Sequence, residues 1–193
     1  MKQEHSSRDF PTMDEEGVYY TPSIAPLPRY DTFWRRVGAG IADGVILFPL
    51  HWLDSWIFGS GTTPVILLLW FTFNSFSYII YSVVLHGLYG QTLGKMLTGV
   101  RVLDVSETRL SFGQAFLRDS VPMLFTTIGV AIGIQTVLSG ENPLAGEEIT
   151  LADILIGLTA FVWLLAELIT MLWNNKRRAI HDYIARSVVV RTR

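Results

Sequence analysis

The sequence predicts an all-α integral membrane protein with four transmembrane helices and with both termini in the cytoplasm. Half of its 193 residues are hydrophobic, and they gather in four stretches of about 20 residues, the length of a helix that crosses a bilayer. The formal net charge of −2 is typical neither of an acidic disordered chain nor of a nucleic-acid-binding protein. The lipid bilayer is therefore the expected partner, and no nucleic acid is expected.

The four predicted spans differ in polarity. They are residues 38–58, 64–88, 120–138 and 151–173. The first is the least hydrophobic, because its polar residues Asp43, His51 and Asp54 surround a central Pro49. The second contains no formally charged residue, the third is near the minimum length, and the fourth holds one charge, Glu167.

A soluble bundle of four buried helices is the alternative fold. Such helices normally present one polar face to water, and the second span shows almost none. The membrane fold is therefore favoured. Cysteine is absent, which excludes thiolate catalysis and cysteine-based metal sites.

The distribution of basic residues predicts the orientation. All 15 Lys and Arg precede the first span, lie between the second and third, or follow the fourth. The connections 59–63 and 139–150 contain none, and the second of these holds Glu141, Glu147 and Glu148. Because basic residues beside spans stay on the cytoplasmic side, both termini are predicted to be cytoplasmic.

Two segments outside the spans have distinct characters. Residues 1–32 are polar and contain acidic residues and scattered prolines, which predicts a flexible cytoplasmic tail ahead of a transmembrane domain over residues 33–193. The connection 89–119 is amphipathic, which favours a segment lying along the membrane surface with Lys95, Arg101 and Arg118 near lipid phosphates. An ordinary structured loop is the alternative.

Charged groups inside the first span are expensive in lipid and need a partner, water or a proton. Arg36 and Asp43 are seven residues apart, so they share one helix face with their Cα atoms about 10 Å apart. Arg36 is therefore the expected partner of Asp43, although its side chain reaches toward the carboxylate without quite pairing to it. Asp54 falls on the same face unless Pro49 rotates the second half of the helix.

This polar stripe has two interpretations. In the first, it handles a proton or a cation, with Asp43 as the titrating group. In the second, it is a buried salt-bridge network that locks the first helix to the C-terminal segment. His51 either relays a proton or sits in the outer interface beside two tryptophans, and the interface is favoured. Glu167 either faces a cavity shared with the polar stripe of the first helix or pairs locally. A single charge in the fourth span does not decide between these two interpretations.

Enzyme motifs are not found. The segment GQTLGK resembles a phosphate-binding loop, but Tyr89 stands where the loop needs glycine, and Met96 stands where it needs Ser or Thr. The dipeptide of His181 and Asp182 has no accompanying nucleophile or metal-ligand spacing. We therefore expect no enzymatic activity, no cofactor and no metal site.

Three separate motifs occur in this order along the chain: RRVGAGIAD, GQTLGKMLTGVRVLD and RRAIHDYIARSVVV. Together they resemble the RDD family of bacterial membrane proteins. The resemblance covers about residues 30 to 192. The family is named for an arginine and two aspartates, which the resemblance places at Arg36, Asp43 and Asp182. The supporting motif positions that it implies are Gly94, Lys95, Gly99, Arg101, Asp104, Arg118 and His181. His51, Asp54 and Glu167 have no place in the family pattern.

The resemblance implies a location in the bacterial inner membrane, and it raises the expectation of transport, because some members look like sodium–proton antiporters. The expected function is cation/proton exchange through the polar site on the first helix, in a homo-oligomer because four helices enclose little space. The alternative is a non-catalytic accessory subunit of a larger membrane complex.

Overall fold

The chain is mostly helical. The computed structural model describes residues 12–13, 19–20, 28–59, 63–140 and 151–192. In chain order the elements are β1 (Thr12–Met13), β2 (Tyr19–Tyr20), a 3₁₀ turn (Pro28–Tyr30), α1 (Phe33–Trp52), α2 (Asp54–Gly59), α3 (Pro64–Tyr89), α4 (Leu93–Thr98), β3 (Val100–Asp104), α5 (Phe112–Arg118), α6 (Ser120–Leu138), α7 (Leu151–Leu172), α8 (Ile180–Ile184) and β4 (Ser187–Arg191).

Three of the described helices are long and apolar enough to cross a membrane: α3, α6 and residues Ile154–Leu172 of α7. The full helices α3, α6 and α7 agree with the second, third and fourth predicted spans to within one residue. Pro64 occupies the first turn of α3, where its missing N–H costs nothing. Gly90 ends α3 with a left-handed φ of 71°, a conformation that glycine adopts readily.

The first predicted span has the wrong bounds. Helix α1 begins at Phe33 and ends at Trp52, and residues 54–59 form the separate helix α2. Pro49 lies inside α1 and lacks the N–H that would bond one turn back, so it weakens the helix shortly before its end. With Arg35, Arg36 and Asp43 in its sequence, α1 is more polar than the three apolar helices.

The all-α prediction is also wrong in part, because β3 and β4 form an antiparallel pair in which Val102 lies opposite Val189. Both valines are fully buried, and they pack with Leu110 and Ala115. β-Branched residues favour strands, but the partners are far apart in sequence. The connection 89–119 therefore folds into α4, β3 and α5, which agrees with the structured-loop alternative.

We call the end of the long helices where α4, β3, α5, α8 and β4 assemble the basic end. It holds the start of α1 and α6 and the finish of α3 and α7. The opposite end holds α2 and the start of α3. The predicted tail over residues 1–32 and the acidic connection lie largely outside the described residues.

Candidate functional site

Asp182 is the centre of a buried cluster at the basic end. Its Oδ2 is 2.7 Å from Nη1 of Arg36, and its Oδ1 accepts from Arg118 and from the hydroxyl of Ser187. Asp182 is fully buried, and the side chains of Arg36 and Arg118 are 7% and 4% exposed. The cluster thus joins α1, α5 and β4 to α8 through one carboxylate.

The pKa of Asp182 follows from this arrangement. Burial by itself raises the pKa of the carboxyl, but the charges of Arg118 and Arg36 outweigh it and hold the pKa well below its ordinary value. The backbone N–H of Ala179 also donates to Oδ2 at 2.9 Å. Asp182 is therefore a charged, fully bonded group rather than one poised to exchange a proton near neutral pH.

His181 extends the cluster to α7. Its Nε2 lies 3.1 Å from Arg36 and 2.8 Å from Arg118. Guanidinium groups only donate, so Nε2 accepts and the ring proton stays on Nδ1, 2.7 Å from Oε2 of Glu167. Burial and the charge of Arg118 lower the pKa of His181, which agrees with a neutral ring. Glu167 also accepts from the backbone N–H of His181 at 3.1 Å, so its two contacts join α7 to α8.

The predicted partnership of Arg36 with Asp43 is wrong. Arg36 lies in the first turn of α1, and its side chain turns to Asp182 and to the carbonyl of Arg177, 2.9 Å away. Helix periodicity identified Asp43 as the partner because it compares residues within α1 only, whereas Asp182 lies on α8. Of the two interpretations, the contacts of Arg36 agree with the salt-bridge network that locks α1 to the C-terminal segment.

Asp43 is held by a different set of donors and is 2% exposed. Its Oδ1 accepts from the hydroxyl of Tyr81 at 2.6 Å and from the backbone N–H of Gly94 at 2.7 Å. Its Oδ2 accepts from the hydroxyl of Thr92 at 2.6 Å. A Cβ on Gly94 would lie 2.2 Å from the carbonyl oxygen of Ala39. The glycine therefore lets α4 approach α1 closely enough for these bonds.

Half-buried Lys95 begins a second chain of polar groups, in which His86 and Ser82 are buried. Its Nζ lies 2.9 Å from Nε2 of His86. Nδ1 of His86 lies 2.8 Å from the carbonyl oxygen of Ser82 and donates to it. The Ser82 hydroxyl in turn donates to Asp119 at 2.7 Å. Burial, and then the charges of Arg118 and Arg36, lower the pKa of Lys95 to about 7.

The lowered pKa predicts a pH-dependent stability. Folding releases a proton from Lys95 between pH 7 and the free value of 10.5, so the free energy of unfolding should rise with pH across that window and stay level below it. A Lys95→Met variant should lose this rise, whereas exposed Lys176→Met should keep it. Thermal unfolding of the purified protein from about pH 6 to about pH 10 measures both. An identical rise in Lys95→Met would contradict the assignment.

The other motif residues shape the surroundings of the cluster. Gly99 ends α4 with a left-handed φ of 67°. Asp104 accepts from Ser106 and Gln114, and these bonds, those from Ser106 first, lower its pKa to about 2. Arg101 is exposed and donates to the carbonyl of Tyr89 at 3.1 Å.

Several arginines of the basic end bond the unpaired carbonyls where helices finish. The pairs are Arg35 with Thr98, Arg101 with Tyr89, Arg109 with Leu88 and Arg177 with Leu172. Cations are favourable at these negative helix ends. The basic residues used to predict the membrane orientation thus also donate hydrogen bonds to the C-terminal carbonyls of helices.

A separate polar site lies at the opposite end. Asp54 accepts from the indole N–H of Trp70 at 2.7 Å and from the amide of Asn74, which is 2.8 Å from each carboxylate oxygen. His51 lies 3.2 Å from the same amide nitrogen. A cavity of about 200 Å³ is lined by His51, Asp54 and Asn74 together with Phe71, Ser75, Ser77 and Tyr78. His51 thus lines a polar cavity, and its position in the outer membrane interface stays a prediction.

One face of α3 carries hydrogen-bond partners of both Asp54 and Asp43. Asn74 binds Asp54 and Tyr81 binds Asp43, and these two positions are seven residues apart, about 10 Å along the axis and on one face. Buried Ser77 lies between them. Asn74, Tyr81, Ser82 and His86 were not predicted as site residues, because none of them carries a formal charge. Their helical spacing within an apolar span was the available signal.

The RDD family model matches residues 30–186, which is most of the chain. The chain belongs to the RDD family. RDD proteins are membrane proteins, and the three apolar helices agree with a multi-pass membrane protein. No curated protein and no solved structure matches the chain.

In this RDD protein the arginine and the two aspartates form two sites rather than one. Arg36 and Asp182 belong to the cluster with Arg118, whereas Asp43 holds α4 against α1. The described residues contain no group of three or more His, Cys, Asp or Glu placed to hold a metal ion. The motif residues hold buried charges in fixed positions.

Proposed function

We propose that this RDD protein exchanges a small cation for a proton across the membrane, with α1 as a fourth span and the basic end in the cytoplasm. The observation that carries the proposal is the polar face of α3. On this face of an otherwise apolar helix, Asn74 binds the carboxylate of Asp54 and Tyr81 binds that of Asp43. Ionisable groups at membrane depth commonly mark ion or proton pathways.

The surface and length of α1 support its role as a span. Its 20 residues measure about 30 Å, the thickness of the hydrocarbon layer. Ile41, Val45 and Phe48 are each at least 65% exposed, as suits contact with lipid. The arginines gathered at the basic end favour its placement in the cytoplasm.

The two carboxylates have different roles in this proposal. Asp54 is half-buried beside the cavity, so a cation and a proton can compete for it. Asp43 is saturated by Tyr81, Thr92 and Gly94, which closes the polar face toward the basic end. The structure then corresponds to a state open toward the opposite end, and the contact between Tyr81 and Asp43 must break for an ion to pass.

The homo-oligomer follows from the small enclosure that four helices form, and the exposed apolar faces of α1 and α7 offer a surface to a second copy as they do to lipid. Ile154, Leu158, Phe161 and Leu165 of α7 are 40% to 58% exposed. A larger membrane complex would cover the same faces, which is the observation that favours an accessory subunit as the second candidate function.

Proteoliposomes with an internal pH-sensitive dye test the exchange. An inward gradient of Na⁺ or K⁺ should drive proton efflux through the wild-type protein. Asp54→Asn should abolish this flux because the amide cannot exchange a proton, and Tyr81→Phe should alter it by weakening the closed contact with Asp43. Asp31→Asn, an exposed carboxylate outside the polar face, is the matched control and should transport normally.

Flux that Asp54→Asn leaves intact would contradict the proposal. Wild-type vesicles without flux would also contradict it. If protein extracted in native lipid discs then carried a second polypeptide in fixed stoichiometry, the accessory-subunit function would replace transport.

A further inference from the structure

Two exposed arginines are held at the C-terminal end of α3. Arg101 donates through Nε to the carbonyl oxygen of Tyr89 at 3.1 Å, and Arg109 donates through Nη2 to that of Leu88 at 2.7 Å. Both arginines are exposed. Because the two acceptors belong to successive residues, the two positive charges share one helix end, where the carbonyls of the last turn favour cations.

Most of the hydrogen-bond donors of these arginines remain available. A guanidinium group carries five N–H donors in a planar fork, and within the described part of the chain only Nε of Arg101 and Nη2 of Arg109 are bonded. Neither side chain forms an ion pair with a described carboxylate. The free part of the fork matches the oxygens of a phosphate group, which arginine binds through two parallel hydrogen bonds.

An apolar stripe begins beside the arginines and follows α3 away from the basic end. Ile80, Val84 and Leu88 are 41% to 52% exposed, and their spacing of four residues places them on one helix face over about 12 Å. At the same end of α3, the exposed ring of Phe112 packs against Gly87. Apolar surface therefore continues from the guanidinium groups along the helix, as an acyl chain continues from its headgroup.

The surrounding surface favours a negatively charged headgroup. Basic residues outnumber acidic ones among the exposed positions described at the basic end, which are Arg29, Arg101, Arg109, Lys176 and Arg186 against Asp31. Basic groups beside a membrane attract anionic lipids. The cationic group of a zwitterionic lipid would be repelled by the same surface.

The fold also decides which basic residues a headgroup can reach. Lys95 and Arg118 were expected near lipid phosphates, but they contact buried His86 and buried Asp182. Of the three residues expected there, Arg101 is the exposed one.

We propose that Arg101 and Arg109 bind the phosphate of an anionic phospholipid whose acyl chain lies along Ile80, Val84 and Leu88. The occupant is a lipid rather than a soluble phosphate or an acidic protein, because the adjoining apolar stripe belongs to a helix that is long and apolar enough to cross a membrane. The site does not depend on the cation exchange proposed above.

Thermal unfolding of the full chain in a non-ionic detergent tests the site. Phosphatidylglycerol, phosphatidylcholine with the same acyl chains, and inorganic phosphate are each titrated into separate samples, because a ligand that binds the folded state raises the unfolding temperature saturably. We expect a saturable rise with phosphatidylglycerol and a much smaller rise with the other two. The double variant Arg101→Gln/Arg109→Gln should raise the half-saturating lipid concentration by roughly 10- to 100-fold or more, because it loses charged hydrogen bonds to the phosphate.

The double variant Lys176→Gln/Arg186→Gln is the matched control. It removes two exposed positive charges from the turns on either side of α8, and it should bind the lipid nearly as the wild type does. Each variant is first unfolded without lipid, which shows whether it folds. If the double variant at the site does not fold, the single variants Arg101→Gln and Arg109→Gln replace it, each with an expected loss of roughly 10-fold.

A rise with phosphatidylglycerol no larger than that with phosphatidylcholine would overturn the inference. So would a rise that the variant at the site leaves unchanged, or one that the control variant weakens equally, because the lipid would then respond only to net charge. An equal rise with inorganic phosphate would identify a site for a soluble anion and overturn the assignment to lipid.

Discussion

Gly94→Ala should destabilise the protein more than alanine at any glycine of α1. The new Cβ would lie 2.2 Å from the carbonyl oxygen of Ala39 and 2.8 Å from Cγ of Asp43. Ala39 O belongs to the backbone of α1 and cannot rotate away, so α4 must shift. Overpacking of this kind costs roughly 1–3 kcal/mol. The shift would also weaken hydrogen bonds to the Asp43 carboxylate, each of which contributes about 1.5–3 kcal/mol.

Thermal unfolding of the purified protein, followed by tryptophan fluorescence, measures the effect. Gly44→Ala is the matched control, because a Cβ at Gly44 meets nothing within 4 Å. Replacing a glycine in a helix interior by alanine stabilises by up to about 1 kcal/mol, so this variant should unfold at the wild-type temperature or slightly above it. Equal unfolding temperatures for Gly94→Ala and Gly44→Ala would show that the close approach of α4 to α1 is not needed.

Asp182→Asn should destabilise the protein by an amount similar to that of Gly94→Ala. The cause here is the loss of a buried charge, because the size of the side chain does not change. The amide keeps the size of the side chain but leaves Arg36 and Arg118 buried without their shared negative partner. Removing one member of a buried ion pair typically costs about 3–5 kcal/mol. We therefore expect a large fall in unfolding temperature and a low yield of folded protein, although the substitution changes no apolar contact.

A double-mutant cycle isolates the interaction. Arg118→Gln combined with Asp182→Asn should lose less stability than the sum of the two single changes, because the pair interaction is counted in both. Asp31→Asn, an exposed carboxylate, should leave the unfolding temperature unchanged. Additive losses would mean that Arg118 and Asp182 do not stabilise the fold through each other.

The pKa of Asp182 sets the pH range over which its ion pairs stabilise the fold. Its pKa in the folded protein lies well below the ordinary value, so its contribution is complete above the unfolded-state pKa of about 3.9 and is lost as pH falls through the folded-state pKa. The cluster should therefore persist across neutral pH. Titration near pH 7 is expected at Lys95 instead.

The apolar helices were predictable because their signal is local. An uninterrupted apolar segment is long enough to span lipid whatever the rest of the chain does, and so α3, α6 and α7 were placed to within one residue. The family motifs were recognisable for the same reason, because each is a short run of residues. The end of α1 was misplaced because the effect of Pro49 depends on how the following residues pack.

Composition and local order determined by themselves that this chain enters a membrane, where three of its apolar helices lie and which residues deserve attention. The tertiary structure alone decided which charges meet. Arg36 lies seven residues from Asp43 but pairs with Asp182, 146 positions away. The strands β3 and β4 likewise pair far along the chain, as in Val100 with Arg191 and Asp104 with Ser187. Helix periodicity states only which residues share a face of one helix. The partner of a buried charge is the group that folding brings within hydrogen-bond distance, and sequence separation does not limit it.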